Sequence, residues 1–181
     1  MNNGWVWKIP VQGRFGCGYV FDSTQTTDEE ILEELEEYFG QKITSPRSFN
    51  FKAGCFKETW VKNCIAIGLS TGFIEPLEAT SIMLSVISLE KIKERLPGIF
   101  FRDQTYIDLY NKDISLINSN ILNFIYLHYI TDRVDSNYWK NSARSLGYCI
   151  SRLPPHTVSG TKKTGLPALA DQLYRGLARV L

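Results

Sequence analysis

Alternating apolar and polar positions near the start of the chain predict a β-hairpin. The pattern covers Trp5–Val11 and Cys17–Asp22, and Gly13 and Gly16 between them favour a connecting loop longer than two residues. Trp5 and Trp7 are two positions apart, so both side chains lie on one face of the first strand. Two further strands are predicted, an alternating one at 49–54 and a short buried one at 64–67.

Apolar residues at helical spacing predict the helices. The first has the clearest ends: Thr27 and Glu30 form a capping box, acidic residues fill the first turn, and Gly40 follows as a C-cap. Longer apolar stripes predict helices at 77–96, stopped by Pro97-Gly98, and at 104–130. A short helix is expected after Ser136, and a basic amphipathic one at 169–181.

Composition narrows the class of protein. The chain has 181 residues, 44% of them hydrophobic and 13% aromatic, which is enough for one folded domain or a large piece of one. A net charge of +1 and scattered C-terminal bases argue against a nucleic-acid partner, and no apolar run reaches the length of a membrane span. Four unpatterned cysteines predict no metal site and a reducing, cytoplasmic location.

The connection into the second helix is the main candidate for chemistry. Small residues precede it, and Thr80, Ser81 and Ile82 in its first turn present backbone amides at the positive end of the helix dipole. That arrangement suits a flavin pyrimidine edge, a phosphate or a halide. An ordinary strand-to-helix connection would need the same small residues, so spacing alone leaves both interpretations open.

Two pairs of side chains also have both a structural and a functional interpretation. Glu75 and Glu78 flank Pro76 before the helix, where a carboxylate can cap the helix or act as a general acid or base. Trp5 and Trp7 can pack on a sheet face or form an aromatic wall beside a ligand. The two histidines lie far from any pattern of acid and nucleophile.

Several motifs, in the same order, resemble flavin-dependent tryptophan halogenases. The opening Gly4–Pro10 carries the WxWxIP signature of that family, and 73–82, which contains Glu78, resembles its active-site segment. Further resemblance is found at 13–21, 60–70 and 128–139.

The resemblance implies a two-component enzyme. A separate flavin reductase supplies FAD as FADH2, which reacts with oxygen, and chloride or bromide attacks the flavin hydroperoxide to give the oxidant that halogenates tryptophan or another aromatic substrate. The implied site residues are Glu78 as the catalytic carboxylate; the amides of Thr80 and Ser81 for halide, with Ile82 also beside the flavin; and Trp5, Trp7, Ile9 and Pro10 as the signature strand and tunnel wall.

Some family features are missing or altered. No GxGxxG for the flavin pyrophosphate is present, the catalytic lysine of the family belongs to the same missing region, and Ala79 and Ser81 replace a serine and a glycine. The N-terminus resembles a cut through a larger protein.

These observations lead to one expected architecture. It is a mixed α/β piece of an FAD-dependent monooxygenase-like fold, with a substrate-side hairpin, a strand-loop-helix of the flavin domain and packed helices. Residues 1–146 are expected to form a partial halogenase domain and 147–181 a divergent basic tail, inactive as an isolated chain. The alternatives are a related non-halogenating flavin monooxygenase and a non-catalytic remnant acting as a fold or binding module.

Overall fold

The computed structural model describes residues 1–101, 103–142 and 178–180. In chain order, the elements are β1 (Gly4–Val11), β2 (Arg14–Asp22), α1 (Asp28–Phe39), β3 (Phe49–Phe51), β4 (Gly54–Cys55), β5 (Trp60–Val61), β6 (Cys64–Ile65), β7 (Gly72–Phe73), α2 (Thr80–Glu94), α3 (Leu96–Phe101), α4 (Gln104–Tyr129) and β8 (Ala178–Val180). The mixed α/β class is confirmed.

The described residues divide into two compact units. The first contains Met1–Lys52 together with 129–142 and 178–180. The second contains Ala53–His128, so it holds α2, α3 and nearly all of α4. Each unit has its own buried residues and is described by itself below.

The first unit is built on the β1–β2 hairpin. The antiparallel register runs from Gly4 opposite Phe21 to Val11 opposite Arg14, and the described sheet has the order β1-β2-β8-β3. Only two residues connect the strands, and Gly13 takes a positive φ of 79° there. The expectation of a longer loop is therefore wrong, because Gly16 lies inside β2 and Gly13 alone supplies the turn conformation.

One face of the hairpin packs against α1. Tyr19 and Phe21 of β2 form a buried cluster with Ile31 and Leu35 of α1. Burial and the hydrogen bond from the Tyr19 hydroxyl to the Glu34 carboxylate, 2.6 Å long, raise the pKa of Tyr19. The unit thus has a core made by the hairpin and one amphipathic helix.

The ends of α1 are as predicted. The Glu30 amide donates to the Thr27 hydroxyl at 3.3 Å, and the Glu30 carboxylate accepts from the Thr27 amide at 2.9 Å. Gly40 follows in the left-handed conformation, with φ 66°. The capping box and the glycine C-cap are both confirmed.

The start of the chain is fixed in the first unit through its backbone. The Met1 carbonyl accepts from the Trp139 indole at 2.9 Å and from the Arg133 guanidinium at 3.1 Å. Arg133 also lies over the Trp139 ring, 4.6 Å from its centroid. Residues 137–142 are helical, which confirms the predicted start of a helix after Ser136.

The second unit has two short antiparallel pairs, β4–β7 and β5–β6. The predicted buried strand at 64–67 is wrong: only Cys64 and Ile65 are in a strand, Cys64 is exposed, and Ile67 is 38% exposed. Asn111 of α4 holds β5 by accepting from the Thr59 and Trp60 amides and donating to the Trp60 carbonyl. Side-chain hydrogen bonds to the backbone fix this short hairpin.

Helix α2 is shorter than predicted and is followed at once by another helix. It ends at Glu94, and Pro97 and Gly98 lie inside α3 rather than stopping the chain. Pro97 is tolerated because it occupies the first turn of α3, where its missing amide has no intrahelical partner. Arg95 at this junction forms an ion pair with Asp113 of α4. The α4 helix itself is confirmed at Gln104–Tyr129.

Residues 143–177 and 181, which include most of the predicted tail at 147–181, lie outside the described residues. At 178–180 the chain forms β8, so the predicted basic helix is wrong there; β2 and β3 both pair with this segment. Among the described residues, no helix is both long and apolar enough to cross a bilayer. The same residues contain no group of three histidine, cysteine or acidic side chains placed to hold a metal ion.

Candidate functional site

The segment before α2 contains two consecutive residues in the left-handed conformation. Glu78 has φ 51° and ψ 25°, and Ala79 has φ 52° and ψ 31°. For residues with a Cβ this conformation costs roughly 1–2 kcal/mol each, and such strain is concentrated at functional sites. Both side chains are exposed. The turn therefore places the Glu78 carboxylate in solvent just before the helix.

The first turn of α2 has no capping side chain. Ala79 occupies the N-cap position, and no side-chain hydrogen bond caps the helix. Thr80 is buried, Ser81 is half-buried, and Ile82 is 66% exposed. The Thr80 amide donates to the Leu77 carbonyl. A helix start without a side-chain cap, with its amides and partial positive charge, is suited to a small anion.

Behind this turn the second unit has a small cavity. Its lining includes Glu75, Thr80 and Ser81 from the segment and Asn118 from α4. Glu75 is 1% exposed and Thr80 5% exposed. Cys55 lines the same cavity, and burial raises the pKa of its thiol. Glu75 thus lies inside the protein, whereas Glu78, three residues later, lies on the surface.

The tryptophans of the signature strand lie in the first unit, each with its own contact. The Trp5 indole donates to the Tyr129 hydroxyl at 2.9 Å. Trp7 lies opposite Gly18, and a Cβ at Gly18 would come within 2.6 Å of its ring. Both indoles are half-buried.

The end of that strand is open. Ile9 is 55% exposed and Pro10 is also exposed. The structure therefore brings Glu75, Thr80 and Ser81 together around one cavity, with Glu78 in the adjoining turn. The residues of the signature strand belong to the other unit.

The prediction from sequence missed Asn118. It occurs in α4 between Ile114 and Ile121, which lie four residues before and three after it and are both buried. A single amide inside an apolar stripe at helical spacing is the signal that would have found it. Asn111 carries a similar signal and proves to be the residue that fixes β5.

Comparisons with known proteins identify the family of this chain. The sequence profile described as "Tryptophan halogenase" matches residues 1–147. Tryptophan 7-halogenase KtzQ from Kutzneria sp. (strain 744) is 36% identical over 144 residues, which is 77% of this chain and 27% of that protein. Tryptophan 7-halogenase RebH from Lentzea aerocolonigenes is 34% identical over 143 residues, again 27% of its length.

Solved structures agree. A tryptophan halogenase from Shewanella frigidimarina NCIMB 400 matches with a TM-score of 0.75 and 29% identity over 96% of this chain and 36% of its own. BrvH, a flavin-dependent halogenase from Brevundimonas sp. BAL3, matches with a TM-score of 0.73 and 31% identity over 97% of this chain and 38% of its own.

The chain belongs to the tryptophan halogenase family. It spans about a quarter of the length of the curated relatives it matches. The resemblance stated from the WxWxIP strand and the Glu78 segment is therefore confirmed at the level of the family. The roles of individual residues stay predictions.

Proposed function

We propose that this chain provides the halide-binding turn and the signature hairpin of an FAD-dependent halogenase that acts on tryptophan or another aromatic substrate. The observation that carries this proposal is the strained turn at Glu78 and Ala79, which lies in the segment resembling the active site of the family. A turn that costs free energy, exposes a carboxylate and leaves a helix start uncapped has a function as its simplest explanation.

In this proposal each residue of the turn has a distinct task. The amides of Thr80 and Ser81 bind chloride or bromide at the uncapped, partially positive start of α2, and the Thr80 amide exchanges its hydrogen bond to the Leu77 carbonyl for the halide. Glu78 faces solvent before the helix, where it positions or activates the halogenating species. Ile82, 66% exposed, offers an apolar contact to the flavin.

The flavin fits this chain only in part. Reduced FAD, supplied by a separate flavin reductase, would provide the oxygen chemistry that oxidises the halide. The residues present suit its ring edge and the halide, but the sequence contains no GxGxxG for the pyrophosphate. Trp5 and Trp7 would separate the flavin from the substrate, which would suppress direct monooxygenation of the substrate.

A chimera tests the proposal. Residues 1–142 replace the corresponding segment of KtzQ, and bromotryptophan is measured by mass spectrometry with reduced FAD, oxygen and bromide. We expect bromide-dependent product, and a fall of at least about 100-fold in Glu78→Gln, because removal of a catalytic carboxylate affects the transition state. Glu90→Gln, at an exposed position of α2, is the matched control and should keep full activity.

Two results would contradict the proposal. One is a chimera that retains FAD and consumes reduced flavin but forms no brominated product, which favours the non-halogenating monooxygenase. The other is unchanged bromination in Glu78→Gln. The isolated 181-residue chain is expected to hold no stoichiometric FAD, and a yellow purified chain would show that the pyrophosphate motif is not needed.

A further inference from the structure

The cavity behind the Glu78 turn contains a buried hydrogen-bond donor that the proposed function does not use. Asn118 is 3% exposed, and its Nδ2 atom makes no hydrogen bond to any described residue. A buried polar group left without a partner costs about 1–3 kcal/mol. Leucine would fit the apolar stripe of α4 at this position without that cost, so the amide calls for an explanation.

The size and lining of the cavity indicate what the amide binds. The volume is about 10 Å³, at the lower limit of the space that holds one water molecule. The lining includes Asn118, Glu75 and Thr80, three residues with polar side chains that are all more than nine-tenths buried. A water molecule can accept from the Asn118 amide and donate to an oxygen of the Glu75 side chain.

The two sides of the cavity belong to different elements. Asn118 lies in the middle of α4, while Glu75 lies three residues before Glu78 and Thr80 begins α2. A carboxylate has about four lone-pair sites, so Glu75 can accept from this water in addition to its other interactions. A bond through water would therefore connect the rigid α4 helix to the strained turn.

We propose that Asn118 is a positioning residue: its amide, through one buried water molecule bound to Glu75, holds the turn that presents Glu78 and the amides of Thr80 and Ser81. The role of the turn in halogenation rests on the proposed function. The claim that Asn118 fixes the turn does not depend on it. The left-handed pair at Glu78 and Ala79 is unfavourable by itself, so surrounding contacts must fix it. Asn118 supplies such a contact from outside the segment.

Hydrogen exchange on the 181-residue chain tests the structural part. In Asn118→Leu and in the near-isosteric Asn118→Asp, which lacks the Nδ2 donor, we expect amides of 74–82 to exchange at least about fivefold faster. Peptides from α1 in the other unit should be unchanged. The matched control is Asn120→Leu, an exposed position two residues along α4, which should leave 74–82 unchanged.

The chimera described above provides the functional readout. There, Asn118→Asp should raise the KM for bromide and also lower kcat, because it loosens the turn that presents both the halide-binding amides and Glu78. Unchanged exchange at 74–82, or equal loosening throughout the second unit, overturns the inference, since a residue that only packs has no selective effect on the turn. Selective loosening in a chimera that makes no product leaves the positioning role intact and rejects the proposed function.

Discussion

Helices α1 and α2 begin in opposite ways. Helix α1 starts with Thr27 and Glu30 in a reciprocal capping box, with an acidic first turn. Helix α2 starts after two left-handed residues, with Ala79 at the N-cap and no side-chain cap. The first arrangement lowers the free energy of the fold, whereas the second raises it. The contrast separates a helix start that stabilises the fold from one that costs free energy, and the second is the start that we propose binds halide.

The largest expected effect comes from the core under α1. Ile31 is fully buried against Tyr19 and Phe21, so Ile31→Ala should lower the free energy of unfolding of the first unit by about 2–5 kcal/mol. Urea unfolding followed by hydrogen exchange in α1 measures it. Glu33→Ala, at an exposed position of the same helix, is the control, and an equal loss there would show that the effect does not depend on burial of the side chain.

Removing the cap of α1 should have a smaller effect. Thr27→Ala loses the hydrogen bond to the Glu30 amide and should cost about 1 kcal/mol. Urea denaturation of the full chain provides the measurement, with Thr27→Ser as the variant that keeps the hydroxyl. If Thr27→Ser is as unstable as Thr27→Ala, the capping hydroxyl does not contribute.

Relieving the turn before α2 should stabilise the protein. Ala79→Gly removes the Cβ that makes φ 52° unfavourable, and the gain, reduced by the entropy of glycine in the unfolded chain, is about 0.5 kcal/mol. The reverse exchange at a left-handed position, Gly40→Ala in the C-cap of α1, should destabilise it. Thermal unfolding of both variants measures the two changes in stability, which should be opposite in sign. If Ala79→Gly destabilises the protein, the backbone at Ala79 is not strained.

The smallest effect concerns pH. Hydrogen bonds from the Thr27 amide and the Thr26 hydroxyl hold the pKa of Glu30 below its ordinary value of 4.5. Because the pKa is lowered in the folded state, the contribution of Glu30 is complete above pH 4.5 and is lost as the pH falls through the folded pKa. Glu30→Gln should therefore lose less stability than the wild type on acidification below pH 4.5, as measured by urea titrations at each pH. If the free energies of unfolding of the wild type and Glu30→Gln fall in parallel with pH, the hydrogen bonds of Glu30 do not contribute to the pH dependence.

Local sequence predicted the features that local interactions determine. The capping box, Gly40, the start of α1 and the long α4 follow from residues within a few positions of one another. The left-handed pair at Glu78 and Ala79 could not be predicted, because neither residue favours that conformation and only tertiary contacts impose it.

The errors have physical causes of the same kind. A short apolar run such as 64–67 fits either a buried strand or an exposed segment, and in the structure only Cys64 and Ile65 pair with the short strand β5. Pro97 was interpreted as a helix stop, yet proline is equally compatible with a helix start. Within the candidate site, the segment itself predicts Glu78, Thr80 and Ser81. The amide in the apolar stripe of α4 marks Asn118 as unusual, but only the fold shows that it lines the same cavity as Thr80 and Ser81.

The contact between Trp7 and Gly18 limits how the signature strand can vary. A Cβ at Gly18 would come within 2.6 Å of the Trp7 indole, so the sizes of these two residues are coupled across the hairpin. A larger residue at Gly18 becomes acceptable only after Trp7 has become smaller, and a smaller residue at Trp7 alone leaves a gap above the glycine. Mutagenesis of this strand should therefore vary Trp7 and Gly18 together, because a substitution at either position alone is expected to be unfavourable.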